Sequence, residues 1–345
     1  MVMSNKIKTL EGVRGLALLN VLVLHATGLF FPSINASLSG TAQFGVWLFF
    51  VLSAFLLTNR FFVTGFSLTS LASYVLGRSL RILPVFFLAV YVYYWAGLFK
   101  EDTLNKIITF SGSYAHFWTI PVEYVFYFIL PVIAFVSIKI SNRFGALNGV
   151  LFLILLGCIH QYFYPYTNLA LGGKVTWYIP VFLCGMAISC LFMRMNKLNI
   201  NAFASDAFCI LTVIACFSVS PYFMNVLGSS EKFMITNKFV YFAPLLAIMV
   251  YLLCYGKGVF GWLMQSKVMT YLGKWSFSIY LWHLLILFRI APFNHDNVVI
   301  FIVSIIACVG FGAISFYLIE EPCENLRHRI MASINSYRMN KKQTA

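Results

Sequence analysis

Charge is scarce in this sequence. Only 10% of its 345 residues are Asp, Glu, Lys or Arg, and just ten are acidic. Soluble domains carry about a quarter charged residues. The shortage excludes a fold that turns most of its surface to water, and 61% hydrophobic residues with a mean hydropathy of +0.86 agree. Low-complexity segments and internal repeats are also missing. The eight cysteines include no C-x-x-C pair and no metal-ligand spacing, so no metal site is expected. Most lie in apolar runs and read as small packing residues. A net charge of +14 would suggest nucleic acid as the partner of a soluble protein. In so apolar a chain it fits the enrichment of lysine and arginine on the cytoplasmic side of membrane spans, and the expected surroundings are membrane lipids with no nucleic acid.

A spanning helix needs about 20 mostly apolar residues. Ten such segments can be marked, near 11–31, 44–63, 82–99, 117–138, 147–164, 175–193, 203–221, 239–256, 273–291 and 297–318. The expected fold is an all-α integral membrane protein, a bundle of about ten transmembrane helices. With ten spans both termini share one side, and 18 of the 24 lysines and arginines fall there. That bias predicts cytoplasmic termini. The N-terminal lysines and apolar run look like a signal peptide, but Arg14 and His25 interrupt the run and no A-x-A site follows, so a retained first span is expected. The transmembrane domain is drawn as 1–322 and a basic cytoplasmic tail as 323–345, with no fused soluble domain. Residues 64–73 read as a Ser/Thr-rich cytoplasmic connector, and 262–271 as a short interfacial helix after a glycine-loosened stretch.

Ionisable groups inside spans are costly and mark a function or an internal pair. The first span carries Glu11, Arg14 and His25. Arg14 and His25 are three helical turns apart on one face, about 16 Å along the axis. Arg14 also fits a snorkelling anchor, and His25 a helix-packing hydrogen bond. Arg78 and Arg81 are helical neighbours at the opening of the third span. They suit a phosphate-binding fork or plain topology anchoring. His116, Thr119, Glu123 and Tyr127 share one face of the fourth span. Glu123, in an apolar run, must be protonated, paired or facing water, and Arg14 or a histidine could be its partner. Ser276, Tyr280 and His283 make a polar stripe on the ninth span. Glu320 stands at the end of the tenth. The stripe also reads as interhelical hydrogen bonding, Glu320 as a simple membrane-edge carboxylate, and Glu123 as a buried ion pair that only fixes helix packing. Together they suit either a proton-coupled carrier or an enzyme working within the membrane.

The order of these pieces resembles the acyltransferase-3 family of bacterial membrane acyltransferases. Leu10-Glu11-Gly12-Val13-Arg14-Gly15-Leu16-Ala17 with His25 is similar to the family opening, L-D-G-x-R-G-x-A followed by a histidine. The run from Gly45 to Leu56 is similar to G-V-D-L-F-F-V-L-S-G-F-L. Arg78 and Arg81, with Ile82 and Pro84, match R-x-x-R. His116 to Tyr127 resembles H-L-W-S-L-S-V-E-E-Q-F-Y. Leu272 to His283 resembles L-G-x-x-S-Y-S-L-Y-L-W-H, and Tyr317 to Pro322 resembles Y-x-x-I-E-x-P. Departures are Trp47 for the second-span aspartate, Ala54 for the glycine after it, and Tyr124 and Val125 for the second glutamate and the glutamine.

The resemblance implies transfer of an acyl group, usually acetyl, from cytoplasmic acyl-CoA to a hydroxyl of an extracytoplasmic or lipid-linked surface glycan such as O-antigen. It implies a multi-pass protein of the bacterial inner membrane, with acetyl-CoA as a substrate and no permanently bound cofactor. In that frame Arg14, Arg78 and Arg81 hold the CoA phosphates. His25 is the general base or a transient nucleophile, and Glu123 orients a histidine. Trp118, Thr119, Ser276, Tyr280 and His283 line the path or donate to an oxyanion. Glu11, His116 and Glu320 are secondary candidates. The rivals are a proton-coupled transporter or flippase relaying protons through His25, Glu123 and His283, and a glycan polymerase.

Overall fold

A computed structural model of the chain describes residues 2–168, 174–194, 200–228 and 235–343. Those residues form helices and no strand, in the order α1 (Val2–Phe30), α2 (Pro32–Leu38), α3 (Gln43–Thr64), α4 (Leu68–Trp95), α5 (Glu101–Ile108), α6 (Thr119–Phe144), α7 (Ala146–Phe163), α8 (Val175–Arg194), α9 (Ala202–Ser218), α10 (Pro221–Val226), α11 (Phe239–Leu253), α12 (Gly258–Met264), α13 (Lys267–Lys274), α14 (Ser276–Ile290), α15 (Val298–Ser315) and α16 (Glu321–Gln343). Every expected apolar segment falls on helix. Eight helices among the described residues are long and apolar enough to cross a membrane. Helix α11 joins α12 through an 81° bend to make a ninth candidate, and α9 is a shorter apolar helix.

The bundle is apolar outside as well as in its core, with a small set of polar side chains held inside. Leu147 and Leu151 of α7, Leu211 of α9 and Ile306 of α15 are exposed, whereas His116, Thr119, Ser276, His283 and Glu320 are buried. Lipid can cover the first set at no cost. The second set would be unsatisfied against lipid and is therefore driven inward. The chain is a multi-pass membrane protein.

Boundaries differ from the sequence expectations where polar residues start helices. Ser67 caps α4, its hydroxyl accepting from Ser70 N at 3.2 Å, so the helix begins at Leu68. The expected connector at 64–73 shrinks to three residues, and Arg78 and Arg81 lie well inside the helix. Ser266 caps α13 in the same way, accepting from Met269 N at 3.3 Å. The expected interfacial helix at 262–271 is consequently split between α12 and α13. At the far end, α15 passes through one π turn at Phe316–Glu320 into α16. The expected tail thus begins inside a helix whose early turns pack on α4, where a Cβ on Gly77 would meet Arg327 Cδ at 3.0 Å.

Helix α1 is central, packing along α13, α3 and α14. Glycine sets its closeness to α12 and α13. A Cβ on Gly12 would sit 1.8 Å from the Met264 carbonyl oxygen, and one on Gly273 would sit 1.7 Å from the Glu11 carbonyl oxygen. Gly12 thus sets the approach of α1 to α12, and Gly15 and Gly273 set its approach to α13, where a Cβ on Gly15 would lie 2.4 Å from the Met269 carbonyl oxygen and 3.2 Å from Gly273 N. Glu11 stands at this crossing. Gly310 of α15, by contrast, faces open space. Gly273→Val should therefore cost about 1–3 kcal/mol or more by overpacking and lower the thermal midpoint of the detergent-purified protein by several degrees. Gly310→Ala should leave it unchanged. Equal midpoints for the two variants would overturn the contact.

Candidate functional site

Buried and half-buried polar side chains of α1, α3, α4, α6 and α14 line a file of three adjoining cavities. At one end Arg14, Arg60, Arg78 and Arg81 surround a space of about 200 Å³, with Glu123 and Tyr127 on its wall. The file then narrows to about 50 Å³ between Arg14, Ser53, Thr119, Glu123, Ser276 and Tyr280. It reopens to about 470 Å³ among His25, Asn35, Gln43, His116, Trp118 and Tyr280. Arg14, Ser53 and Glu123 belong to both the first and second cavities, and Val46 and Tyr280 to both the second and third. Arg14 and His25, three turns apart on α1, face opposite ends of the same passage.

The arginine end carries excess positive charge. Of its four guanidiniums, only Arg81 lies within ion-pair distance of a carboxylate among the described residues, 3.6 Å from Glu320. Glu320 is buried and also accepts from Ser278 Oγ at 3.0 Å. The π turn brings it inward, since a π turn widens the helix and resets the facing of its residues. Arg60 donates to Ser73 Oγ at 2.9 Å, and Arg78 lies over the Tyr127 ring at 5.9 Å with its Nε buried and unpartnered among the described residues. Clustered guanidiniums with spare donors form an anion site, and their fork geometry favours phosphate.

In the narrow middle, Glu123 accepts hydrogen bonds from the hydroxyls of Ser53 and Tyr127. Arg14 and the histidines, the candidate partners from the sequence, are not the ones found. No ion pair to Glu123 occurs among the described residues, and hydroxyls on α3 and its own helix satisfy it instead. Tyr127 is held in turn through its carbonyl, which accepts from Tyr74 Oη at 2.8 Å. Tyr280 Oη donates to the His116 carbonyl at 3.0 Å and lies 2.9 Å from Thr119 Oγ1, which ties α14 to α6. Ser276 Oγ is buried with no partner among the described residues.

At the wide end three imidazoles gather. His25 Nδ1 is 2.9 Å from His283 Nε2, and His283 Nδ1 is 2.6 Å from the Tyr280 carbonyl oxygen. His116 donates through Nε2 to the Leu281 carbonyl at 3.1 Å. The same carbonyl accepts from Tyr93 Oη at 3.0 Å. His116 comes from a 3-10 turn, Ala115–Trp118, and not from the helix proper, and its carbonyl accepts from Thr119 Oγ1 at 3.2 Å. Trp118 lines the wide cavity and lies 5.2 Å, ring to ring, from Tyr178.

The structure thus brings Arg14, His25, Arg78, Arg81, His116, Trp118, Thr119, Glu123, Ser276 and Tyr280 onto one passage. His283 stands directly behind His25, and Glu320 behind Arg81. Glu11 lies off the passage. Sequence reasoning did not single out Ser53, Arg60, Tyr74, Tyr93 or Ser278. Ser53 and Arg60 interrupt the apolar run of the second span, and that interruption is the signal that marked the others. Tyr74, Tyr93 and Ser278 bond across helices, which only the packing reveals. Trp47, which stands where the family pattern has aspartate, is fully buried among Phe44, Phe239 and Phe242, away from the three cavities.

The family profile described as an acyltransferase domain, acyltransferase-3, matches residues 7–319. Among curated proteins, one named "Putative peptidoglycan O-acetyltransferase YrhL" from Bacillus subtilis is 22% identical over 359 residues, covering 91% of this chain and 54% of that protein. "Peptidoglycan O-acetyltransferase OatA" from Listeria monocytogenes is 23% identical over 363 residues, covering 92% of this chain and 55% of that protein. The chain spans about half the length of these relatives. No solved structure matches it. With a matching profile along most of its length and the motif residues gathered on one internal passage, the chain belongs to the acyltransferase-3 family.

Proposed function

We propose that this protein moves an acyl group, acetyl in the simplest case, from acyl-CoA to a hydroxyl of an extracytoplasmic glycan. The observation that carries this reading is the file of three adjoining cavities, with clustered guanidiniums at one end and imidazoles at the other. A phosphate-rich donor and a neutral hydroxyl acceptor can then meet from opposite sides of the membrane.

Arg14, Arg60 and Arg78 hold the phosphates of the donor at the arginine end. Arg81, paired with Glu320, keeps the fork oriented. The thioester reaches the narrow middle, where the acyl carbonyl stands near Ser276 and Tyr280. The acceptor sugar occupies the wide cavity, with Trp118 as an apolar platform and Asn35 and Gln43 as amide partners. His25 takes the proton of the acceptor hydroxyl. The oxygen attacks the thioester carbonyl, and the unpartnered Ser276 hydroxyl donates to the oxyanion. Collapse forms the ester and releases the CoA thiolate, which takes up a proton. Neither cysteine chemistry nor a metal is needed for this balance.

The basic residues set the direction. Counting the α11–α12 pair and α9 as spans gives ten, which returns both termini to one side. The arginine end shares that side with most of the lysines and arginines, so it faces the cytoplasm, where the donor is made. For the acceptor, the motif pattern pointed to lipid-linked O-antigen. Two relatives are named for peptidoglycan. A sugar hydroxyl outside the cytoplasm is common to both, and mass spectrometry of each polymer with and without the gene separates them by a single acetyl increment.

His25→Ala should reduce label transfer from acetyl-CoA in membranes by at least about 100-fold, the usual scale for losing a general base, with expression unchanged. Undiminished transfer would remove His25 from the chemistry, and a wild-type protein that moves substrate without consuming acetyl-CoA would indicate a carrier. The double variant Arg78→Gln/Arg81→Gln should raise the KM for acetyl-CoA about tenfold, a loss of about 1.4 kcal/mol. An unchanged donor KM would overturn the phosphate assignment. A phosphatase reporter active only outside the cytoplasm should be inactive when fused at residue 345; activity there would reverse the orientation.

A further inference from the structure

The hydrogen bonds at the wide end determine which nitrogen of each imidazole carries the proton. A carbonyl oxygen only accepts, so His283 Nδ1, 2.6 Å from the Tyr280 carbonyl, carries a hydrogen. A neutral imidazole has one such hydrogen, and His283 Nε2 is therefore a bare acceptor. It faces His25 Nδ1 at 2.9 Å, so that nitrogen must donate. The remaining nitrogen of His25, Nε2, is left with the lone pair. Among the described residues it has no hydrogen-bond partner, and His25 lines the wide cavity. The two ring planes are parallel within 3° with centroids 5.2 Å apart, the arrangement of rings meeting edge to edge through N–H···N rather than face to face.

We propose that His283 is the positioning residue for His25, accepting its Nδ1–H and so holding the lone pair on Nε2, where it faces the acceptor cavity. Left to itself, an imidazole favours the opposite tautomer, with the proton on Nε2 and nothing there to accept a hydroxyl proton. His283 reverses that preference without approaching the substrate. Its own orientation is secured by its bond to the Tyr280 carbonyl and by His116, whose ring packs edge-on at 4.9 Å and is tied to the next carbonyl along the same helix. Two consecutive carbonyls of α14 thus hold the two supporting histidines. His283 has the place that a carboxylate fills in a Ser-His-Asp triad, but as a neutral acceptor it needs no charge at this depth of the bundle. Glu123, the carboxylate in the passage, is committed to Ser53 and Tyr127 and does not take this part.

The inference rests on the acyl-transfer reading for its purpose but not for its test. The full-length protein in membranes is treated with diethyl pyrocarbonate, which acylates accessible imidazole lone pairs, and the rate of modification at His25 is read by peptide mass spectrometry. Acetyl transfer is measured in parallel. In His283→Leu, modification of His25 should slow by about tenfold or more, and kcat should fall by about 100-fold with the KM for acetyl-CoA within about twofold of wild type, in keeping with the cost of a wrong tautomer. His283→Gln, whose amide oxygen can accept the Nδ1–H, should recover most of both. A merely structural role would move KM and kcat together and give Gln no advantage over Leu. Wild-type modification rates in His283→Leu would overturn the proposal. Slowed modification in a protein that never uses acetyl-CoA would uphold the positioning role and overturn the acyl-transfer reading instead. Should His283→Leu fail to fold, nitrogen-15 spectra of histidine-labelled wild-type protein, with His25→Ala for assignment, decide the matter. A protonated Nδ1 at His25 supports the assignment, and a protonated Nε2 overturns it.

Discussion

In a bundle surrounded by lipid, the penalty for an unsatisfied polar group decides where each ionisable side chain can go. Water is not there to solvate a guanidinium, a carboxylate or an imidazole that faces outward. Each must find a partner or a cavity inside, and in this protein those solutions join end to end. The polar side chains of α1, α3, α4, α6 and α14 satisfy one another around a shared file of space. A passage from one end of the bundle toward the other is the geometric result.

Backbone packing makes that file possible. Helix α1 supplies both Arg14 and His25, and its position depends on the near-contact of Gly12 and Gly273 with facing carbonyls. A larger residue at Gly12 would move α1 off α12, and one at Gly273 would move it off α13, and with it the spacing between the arginine and histidine ends. The π turn before α16 acts similarly at the arginine end, bringing Glu320 onto Arg81 and Ser278. The glycines and the π turn hold no ligand themselves, yet they set the separation and facing of the groups that do.

The departures from the family pattern fall into different physical settings. Trp47 replaces a carboxylate with an aromatic side chain packed against Phe44, Phe239 and Phe242, and does not line the three cavities. Tyr124, in place of the second glutamate, lies 3.0 Å from Ser79 Oγ and ties α6 to α4 beside the arginines. The passage retains one carboxylate in its middle, Glu123, and that carboxylate is bound by hydroxyls. Charge neutrality around the imidazoles comes from neutral acceptors and backbone carbonyls, which suits a low-dielectric interior where an added charge would be costly.

Much of the architecture was legible in the sequence, because apolar length is dictated by the thickness of a bilayer. Every marked apolar segment falls on helix, though not always on a single one. Polar residues inside those segments are costly against lipid, so Arg14, His25, Glu123, Tyr280 and His283 were recognisable as a set. Helical periodicity alone put Arg14 and His25 on one face. What the sequence could not contain was partnership. Glu123 binds Ser53 and Tyr127 rather than a cation, Arg81 meets Glu320 from the far end of the chain, and His25 meets His283 across 258 positions. Those pairings follow from helix crossing and rotation, which are set by glycine contacts and side-chain packing distributed through the whole bundle, and local periodicity carries no record of them.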